Sequence, residues 1–350
     1  WNAMFAEYCA KFPEMKEAWD AEFDMDAAKD LINNEEFWAY DEKPEATRNL
    51  SGVVLNRLAK YVPNLIGGAA DLAPSTKTYM KDLGDFSKEN YAGRNLHFGV
   101  RELAMAAIGN GMTLHGMRAF VSTFFVFSDY VKPMARLSSI MRIPTTYVLT
   151  HDSIGVGEDG PTHQPIEQLA SFRMIPNFNV IRPADANETA GAYEIAFSSK
   201  ETPTAIILTR QNLTTVRGCS KNKVKKGAYV LSYEKERLDG IILATGSEVN
   251  LAYEAQKELL EDGIDVRVVS MPSTYLFDKQ RNAYKESVLP SSCKKIIAVE
   301  MGVGAPWYKY ANYVMSIDEF GASGPANHVI EAYKFEVEDL INNVKKMLAQ

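Results

Sequence analysis

The stretch Thr150–Gln168 holds the densest set of side chains that could carry out acid–base chemistry. It contains two of the chain's five histidines, His151 and His163, together with three glycines that free the backbone. Its acidic residues are Asp152, Glu158, Asp159 and Glu167. Imidazole and carboxyl groups are common proton carriers in active sites. The stretch therefore predicts an active-site loop, with an ordinary solvated loop as the simpler alternative.

The flanking residues place this loop after a strand. The apolar, β-branched run Thr145–Thr150 predicts a buried strand, and Pro165–Gln168 predicts the first turn of a helix. Open α/β sheets bind ligands beyond the carboxyl ends of their parallel strands. The loop thus lies where such a sheet would have its site.

Other predicted strands in the first half of the chain also end in side chains that could bind or react. These side chains are Asp71 and Ser75, then His97 and Glu102, then Phe124, Phe127 and Tyr130. Because the carboxyl ends of parallel strands share one edge of a sheet, we expect them to converge with the histidine loop.

Each of these residues also has a simpler explanation. Glu102 opens a predicted helix, where the positive end of the helix dipole stabilises a carboxylate. The aromatic residues recur at a three-residue spacing that is typical of core packing. Arg48 and Arg210 could bind a phosphate or carboxylate through the guanidinium fork, or form surface ion pairs.

The elements that must position these residues alternate between strand and helix. Six strands are predicted in the first half: Leu65–Ala70, Asn95–Phe98, Arg118–Ser122, Thr145–Thr150, Asn179–Arg182 and Thr204–Thr209. The helices between them are predicted from Pro44 to Val62, Glu102 to Leu114, Phe125 to Met141, Ile166 to Ser171, and Asn187 to Ser199. This alternation predicts a parallel sheet with helices on both faces.

A second α/β pattern follows the polar, basic segment Lys221–Gly227. Its strands are predicted at Gly240–Ala244, Val266–Ser270, Lys295–Val299 and Tyr313–Ile317, and its helices at Glu248–Glu261, Asp278–Val288 and Glu336–Leu348. We expect a helical linker at 1–45 and two successive, largely parallel three-layer α/β domains at 46–218 and 226–350. The strand ends of the second domain are mostly small or apolar, with Glu300 as the one carboxylate noted, so this domain is expected to be structural.

Composition excludes several classes of function. The net charge of −7 and the lack of a strong basic cluster argue against nucleic-acid binding. The three cysteines, Cys9, Cys219 and Cys293, are far apart, which favours a reducing, cytoplasmic setting without disulfides or a zinc site. No apolar run has the length of a membrane span, so no membrane partner is expected.

Several motifs together resemble the transketolase family over nearly the whole chain. They are Gly67–Ser75, His97–Glu102, Thr150–Pro165, Arg182–Asp185, Leu208–Leu213, Leu243–Val249, Val268–Ser273, Phe277–Gln280 and Phe320–Gly324. The long histidine loop is the most specific of them.

The resemblance implies that the chain corresponds to two of three family domains, the pyrimidine-binding and the C-terminal one. The Gly-Asp-Gly motif of the diphosphate- and metal-binding domain is absent, and Gly157–Gly160 does not supply it. Ligands for Mg²⁺ or Ca²⁺ are therefore expected in the missing domain and none here. The start at Trp1 and the resemblance of Trp1–Lys43 to the tail of that domain predict a truncated chain or a split-gene subunit.

The implied reaction moves a two-carbon ketol unit from a ketose phosphate, such as xylulose 5-phosphate, to an aldose phosphate, such as ribose 5-phosphate or erythrose 4-phosphate. It belongs to the pentose phosphate pathway and uses thiamine diphosphate. By resemblance, Glu102 would share a proton with the pyrimidine nitrogen of the cofactor. Phe124, Phe127 and Tyr130 would form the wall around that ring.

The resemblance also implies roles on the sugar side. His151 and His163 would contact the sugar, with His163 moving a proton to and from the reacting oxygen. Asp159 would bind a hydroxyl group of the donor sugar. The phosphate would be held by Arg48, Ser75 and Arg210, while Asp71 would lie near the acceptor. His97, Asp152 and Glu158 are expected only to support the loop.

The family's site lies between subunits of a homodimer, so this chain alone is expected to be inactive without a diphosphate-binding domain. Two alternatives are a non-catalytic α/β dimerisation module and the β-type subunit of another thiamine-diphosphate enzyme. The complete set of site residues argues against the first. The paired arginines and the histidine loop argue against the second.

Overall fold

A computed structural model describes residues 1–23, 34–41 and 43–350 of the chain. Its amino-terminal part is helical, with α1 at Asn2–Lys11, α2 at Pro13–Glu22 and α3 at Glu35–Trp38. Pro13 is the first residue of α2, where its missing N–H costs no helical hydrogen bond. Short helices are thus confirmed for the described part of the predicted linker, and the rest of it lies outside the described residues.

The first half forms a six-stranded parallel sheet. Its elements in chain order are β1 (Glu45–Ala46), α4 (Thr47–Tyr61), β2 (Leu65–Ala69), α5 (Ala73–Thr76), β3 (Asn95–His97), α6 (Glu102–Leu114), β4 (Arg118–Phe124), α7 (Ser128–Met141), β5 (Thr146–Thr150), α8 (Gln168–Arg173), β6 (Asn179–Ile181), α9 (Ala186–Ser198), β7 (Thr204–Leu208) and β8 (Asn212–Leu213). The strand order is β3-β2-β4-β5-β7-β6, while β1 and β8 form a separate antiparallel pair.

The register of this sheet brings the predicted strand ends together. Phe124 pairs with Thr150, and Thr150 pairs with Leu208. On the other side of β4, Ala69 pairs with both Ser122 and His97. The loops that follow these strands therefore leave the sheet at one edge.

The central strands β4, β5 and β7 are buried on both faces, which explains their largely apolar sequences. In β7, Ile206 and Leu208 pack into one apolar cluster with α4 and α9, whereas Ala205 and Ile207 pack into another with α6 and α7. Helices on both faces of a parallel sheet give the predicted three-layer arrangement.

The second half repeats this arrangement around a five-stranded sheet. Its elements are α10 (Lys221–Val224), β9 (Tyr229–Ser232), β10 (Gly240–Ala244), α11 (Glu248–Glu261), β11 (Val266–Ser270), α12 (Thr274–Asp278), α13 (Asn282–Val288), β12 (Ile296–Val299), β13 (Tyr313–Met315), α14 (Ala326–Ala332) and α15 (Val337–Ala349). The strand order is β13-β12-β10-β11-β9, parallel except for the antiparallel edge strand β9. The largely parallel α/β fold class is confirmed.

Some element boundaries differ from the sequence prediction. The helix predicted from Asp278 to Val288 is wrong, because α12 ends at Asp278 and α13 begins at Asn282. The side chain of Ser273 accepts a hydrogen bond from the N–H of Leu276 and so begins α12 earlier. The helix predicted from Phe125 begins as a 3₁₀ turn at Phe125–Phe127 and becomes α-helical at Ser128. The helix predicted from Pro44 begins at Thr47, after β1.

The two halves share part of one apolar core. Ile154 and Ile166, from the histidine loop, belong to the same buried cluster as Ile242, Val268 and Val299 of the second sheet. The loop therefore packs against the second half of the chain. No helix in the described ranges is both long and apolar enough to cross a membrane.

Candidate active site

Two chain segments pair through β1 and β8 and through Thr47 and Thr209. This contact, called the clasp below, brings Arg48 and Arg210 together. The pairing of β1 with β8 is continued by two reciprocal hydrogen bonds: Thr47 N–H donates to Thr209 Oγ1 at 3.0 Å, and Thr209 N–H donates to Thr47 Oγ1 at 2.8 Å. Each arginine directly follows one of these threonines. Both cations therefore stand at the same edge of the first sheet.

The two arginines form a cationic site. Arg48 Nη1 donates to the carbonyl of Ser75 at 3.1 Å, and its buried Nε–H has no partner in the described part of the chain. Burial lowers the pKa of Arg48, and the positive charge of Arg210 lowers it further. Among the described residues, no Asp or Glu forms an ion pair with either guanidinium. An anion bound here would gain from both charges.

His151 lies beside these arginines with its tautomer fixed. The ring is only 3 % exposed, and its Nε2 lies 3.3 Å from Arg48 Nη1, which can only donate. Nε2 must therefore accept, and the proton lies on Nδ1, 2.7 Å from Thr150 Oγ1. Burial, together with the neighbouring Arg48, Arg210 and His163, lowers the pKa of His151 to about 3. The imidazole is therefore neutral at neutral pH.

Two of the strand-end residues have left-handed backbone angles. His151 has φ of 65° and Asp71 has φ of 61°, a region that non-glycine residues seldom adopt. Such conformations persist where surrounding contacts fix them, and they cluster at functional sites. Asp71 is exposed and lines a cavity of about 380 Å³ together with His97, Pro74 and Tyr79.

An aromatic pair joins the two histidines. Phe124 and Phe127 are stacked, with ring centroids 6.0 Å apart and an interplanar angle of 14°. The His151 ring lies 3.7 Å from Phe124, and the His163 ring lies 5.4 Å from Phe127. The half-buried His163 has its Nδ1 at 2.9 Å from Thr162 Oγ1, which leaves Nε2 for a ligand.

Glu102 lies near the carboxyl end of β4. It is the first residue of α6, is 8 % exposed, and accepts a hydrogen bond from Thr123 Oγ1 at 3.3 Å. Thr123 directly precedes Phe124 in β4, so this bond places the carboxyl group near the strand end at which the aromatic pair begins. Tyr130 is 64 % exposed and has no ring partner within the described ranges, so the structure does not add it to the stacked pair.

The remaining predicted residues lie at the periphery. Asp159 is exposed on a turn in which Gly160 N–H donates to the Gly157 carbonyl at 2.9 Å. His97 forms an exposed contact of 2.9 Å with Asp85. The carbonyl of Glu158 accepts a hydrogen bond from Ser323 of the second half.

Sequence reasoning missed Gln164, which connects the histidine loop to the second half. Its Nε2 donates to the carbonyls of Gly157 at 3.0 Å and Ala322 at 2.9 Å. Gly321 is required opposite it, because a Cβ there would lie 1.8 Å from Gln164 Oε1. The adjacent glycine-rich segment Phe320–Gly324 was the available signal.

The expectation of chemically bland strand ends in the second half is wrong. Glu248 and Glu300, at the ends of β10 and β12, are both 1 % exposed and surround the fully buried Arg182 of the first half. Glu248 escaped notice because it follows the small residues Thr245–Ser247. Within the described ranges, no three His, Cys, Asp or Glu residues gather as a metal site would require.

Comparisons with known proteins identify similar families and structures. The family described as "Transketolase, pyrimidine binding domain" matches residues 43–215, and "Transketolase-like TK C-terminal domain" matches residues 227–336. Transketolase of Bacillus subtilis is 50 % identical over 357 residues, which cover 99 % of this chain and 53 % of that protein. The chain thus spans about half the length of the curated relatives it matches.

Two solved structures are also similar. The Pichia stipitis transketolase in complex with sedoheptulose-7-phosphate has a TM-score of 0.90 and 41 % identity, over 100 % of this chain and 52 % of that one. A structure described as a split-gene transketolase, an inactive β4 tetramer, has a TM-score of 0.69 and 26 % identity, over 88 % of this chain and 99 % of that one.

Proposed function

The chain belongs to the transketolase family, and from that premise we propose that it supplies the sugar-binding and pyrimidine-binding side of a ketol transfer dependent on thiamine diphosphate. The donor is a ketose phosphate such as xylulose 5-phosphate, and the acceptor is an aldose phosphate such as ribose 5-phosphate or erythrose 4-phosphate.

The observation that carries this proposal is the pair Arg48 and Arg210, which lies beside His151 without a carboxylate partner among the described residues. Two guanidinium groups without an anion favour a phosphate ligand. The Ser75 carbonyl fixes Arg48 in place. The similar Pichia stipitis structure is described as holding a sugar phosphate, which supports the same ligand class here.

The residues around Glu102 fit the pyrimidine ring of the cofactor. The carboxyl group of Glu102 is nearly buried and bonded to Thr123, at the end of the strand that leads into the aromatic pair Phe124 and Phe127. Thiamine diphosphate, when bound, supplies the nucleophilic carbon that carries the two-carbon unit. Glu102 would hold a proton at a ring nitrogen, and Phe124, Phe127 and Tyr130 would exclude water around the ring.

The two histidines have different proposed roles in binding the sugar. His151 is neutral and its Nε2 lone pair is directed at Arg48, so it orients that cation and contacts the sugar. His163 keeps Nε2 for the substrate and would transfer a proton to and from the reacting oxygen. Asp159, on its exposed turn, would accept a hydrogen bond from a hydroxyl of the donor sugar.

The complete site requires a partner. We place the diphosphate and its Mg²⁺ or Ca²⁺ on a separate diphosphate-binding domain, in a homodimer in which that domain faces Glu102. Exposed apolar side chains on α6 and α7, namely Leu103, Ile108, Leu137 and Ile140, are available for such an interface. The similar split-gene transketolase is described as an inactive β4 tetramer, which supports the expectation that this chain alone is inactive. A reducing, cytoplasmic setting is proposed because the three cysteines are free.

An assay of the chain mixed with a transketolase diphosphate-binding domain, thiamine diphosphate and Mg²⁺ tests the proposal. Ketol transfer from xylulose 5-phosphate to ribose 5-phosphate is expected, and the chain alone should show none. Decarboxylation of a 2-oxo acid by the same mixture would instead support a β-type subunit of another thiamine-diphosphate enzyme. Association without any turnover would support a non-catalytic module.

A further inference from the structure

Arg182 is a fully buried arginine at the boundary between the two halves of the chain. It follows β6 of the first sheet, and its side chain is 0 % exposed. Its Nε–H donates to Asp152 at 2.9 Å, and its Nη atoms donate to both carboxyl oxygens of Glu248. Additional bonds reach the Thr245 carbonyl at 3.2 Å and Ser247 Oγ at 3.2 Å. Its donors are therefore shared between one loop of each half.

The second half is shaped to accept this guanidinium. A Cβ at Gly246 would lie 2.7 Å from Arg182 Nε, so the turn can close only with glycine there. The main chain is also bonded across the boundary: Arg182 N–H donates to the Pro272 carbonyl at 2.9 Å, and Gly246 N–H donates to the Arg182 carbonyl at 3.2 Å. These contacts use the sequence motifs Arg182–Asp185 and Leu243–Val249, to which the proposed chemistry gives no role.

The charges of the cluster are nearly balanced. Three carboxylates (Asp152, Glu248 and Glu300) face the guanidiniums of Arg182 and Arg173. Burial alone would lower the pKa of Arg182, but Glu248, Asp152 and Glu300 raise it above its ordinary value. Burial raises the pKa of Glu248, and its bidentate pair with Arg182 opposes that rise.

Asp152 connects this cluster to the sugar-binding residues. It directly follows His151, whose left-handed φ of 65° needs support from its neighbours. One carboxyl oxygen of Asp152 binds Arg182, and the other accepts from Ser153 Oγ at 3.2 Å. Ser153 in turn caps the short turn Ile154–Val156, which packs into the core of the second half. Asp152, at the start of the histidine loop, is thus held by Arg182, whose guanidinium group is in turn paired with Glu248 of the second half.

We propose that Arg182 and Glu248 are positioning residues, through which the C-terminal domain sets the backbone of Asp152 and His151 for sugar-phosphate binding. Neither residue touches the substrate. The inference rests on the proposed function, because the loop it positions is the proposed sugar site.

The variant Glu248→Gln tests this inference, with Glu234→Gln as the matched control. Glu234 also forms a bidentate pair with an arginine of the second half, Arg267, at 2.9 and 2.7 Å, but it lies away from the histidine loop. In the chain assembled with a diphosphate-binding domain, Glu248→Gln should raise KM for the ketose phosphate about tenfold, since small misplacements in a site cost up to about 100-fold. The kcat and the cofactor concentration at half-saturation should change less than about threefold. Glu234→Gln should leave all these constants near those of the unsubstituted protein.

A measurement on the 350-residue chain alone separates this inference from the proposed function. Nitrogen NMR of the histidine rings should show His151 as the neutral Nδ1–H tautomer between pH 5 and pH 8, with its signal assigned by its loss in His151→Gln. Glu248→Gln should shift this signal, and Glu234→Gln should not. An unsubstituted assembly without ketol transfer would contradict the proposed function while the ring signal still reports on the positioning.

Three outcomes would overturn the inference: an unchanged KM and ring signal in Glu248→Gln, an equal loss in Glu234→Gln, or a fall in kcat alone. If Glu248→Gln does not fold, Asp152→Asn breaks the same connection from the first half. It should raise KM and shift the ring signal in the same way, and an unaltered Asp152→Asn would equally contradict the proposal.

Discussion

Two arginine-centred regions of this chain have opposite charge environments. Arg182 is enclosed by Asp152, Glu248 and Glu300 and is fully buried. Arg48 and Arg210 lie near each other without any carboxylate partner in the described ranges, and both are half-buried. A buried cation must be paired, whereas a pair of unpaired cations is stable only where solvent or a ligand reaches it. The enclosed cluster around Arg182 therefore indicates a structural role, and the open pair indicates a binding site.

The largest expected effect is a loss of stability when the enclosed Arg182 is replaced. Arg182→Met leaves three buried carboxylates around an apolar side chain, so the free energy of unfolding should fall by about 3–5 kcal/mol. Urea unfolding of the chain measures this change. As a control, Arg237→Met removes an exposed pair with Asp239 and should cost at most about 1 kcal/mol. Similar losses in the two variants would show that the enclosed cluster is not the structural element described here.

The next largest expected effect is a loss of activity when Arg210 of the open pair is replaced. Arg210→Leu removes a proposed phosphate contact, so kcat/KM for the ketose phosphate should fall about 10- to 100-fold in the assembled enzyme, which corresponds to about 1.5–3 kcal/mol for hydrogen bonds to a charged group. The stability of the chain without ligand should change by no more than about 0.5 kcal/mol. Urea unfolding and sugar kinetics on the same preparations distinguish the two effects. A marked loss of stability with normal kinetics would mean that Arg210 is a structural residue and not a binding residue.

The smallest effect concerns the pH dependence of stability that arises because burial, together with the two open cations, lowers the pKa of His151. In the unfolded chain a histidine takes up a proton near pH 6.5, but in the fold burial and the two arginines lower the pKa to about 3. The unfolded state thus binds more protons between these values, and stability should fall by about 1.4 kcal/mol for each pH unit lost in this window. His151→Gln should lack this contribution.

Urea unfolding at pH 6.5 and pH 5 of both proteins checks this expectation. Burial raises the pKa of Glu188 to about 7, which acts in the opposite direction, but both proteins keep Glu188 and the difference between them isolates His151. Equal pH slopes would mean that His151 is not held neutral by its surroundings.

Local sequence patterns predicted most of the elements around the site. The alternation of apolar runs and helical spacing located the strands that end at Phe124, Thr150 and Leu208, and helix α6 begins at Glu102 as expected. The parallel arrangement then required their loops to share an edge. These features depend on residues that are close in sequence or on general rules of sheet topology.

The missing parts depend on contacts between distant residues. Arg182 and Glu248 are 66 positions apart, and Arg48 and His151 are 103 apart. Nothing in the local pattern around Glu248 distinguishes it from a helix-capping carboxylate, so its contact with Arg182 was not predictable. The break between α12, which ends at Asp278, and α13, which begins at Asn282, was missed. The only local signal for α12 is the single capping side chain of Ser273.

The clasp between Thr47 and Thr209 has a consequence for how such proteins can be rearranged during evolution. The chain enters and leaves the first α/β unit at this one point, since β1 and β8 lie side by side. A unit with adjoining ends can be fused to, or separated from, other coding segments without disturbing its interior. Because Phe37 and Trp38 of α3 are buried in the core of this unit, gene fission or fusion before residue 34 would leave that core, and the arginines Arg48 and Arg210 beside the clasp, undisturbed.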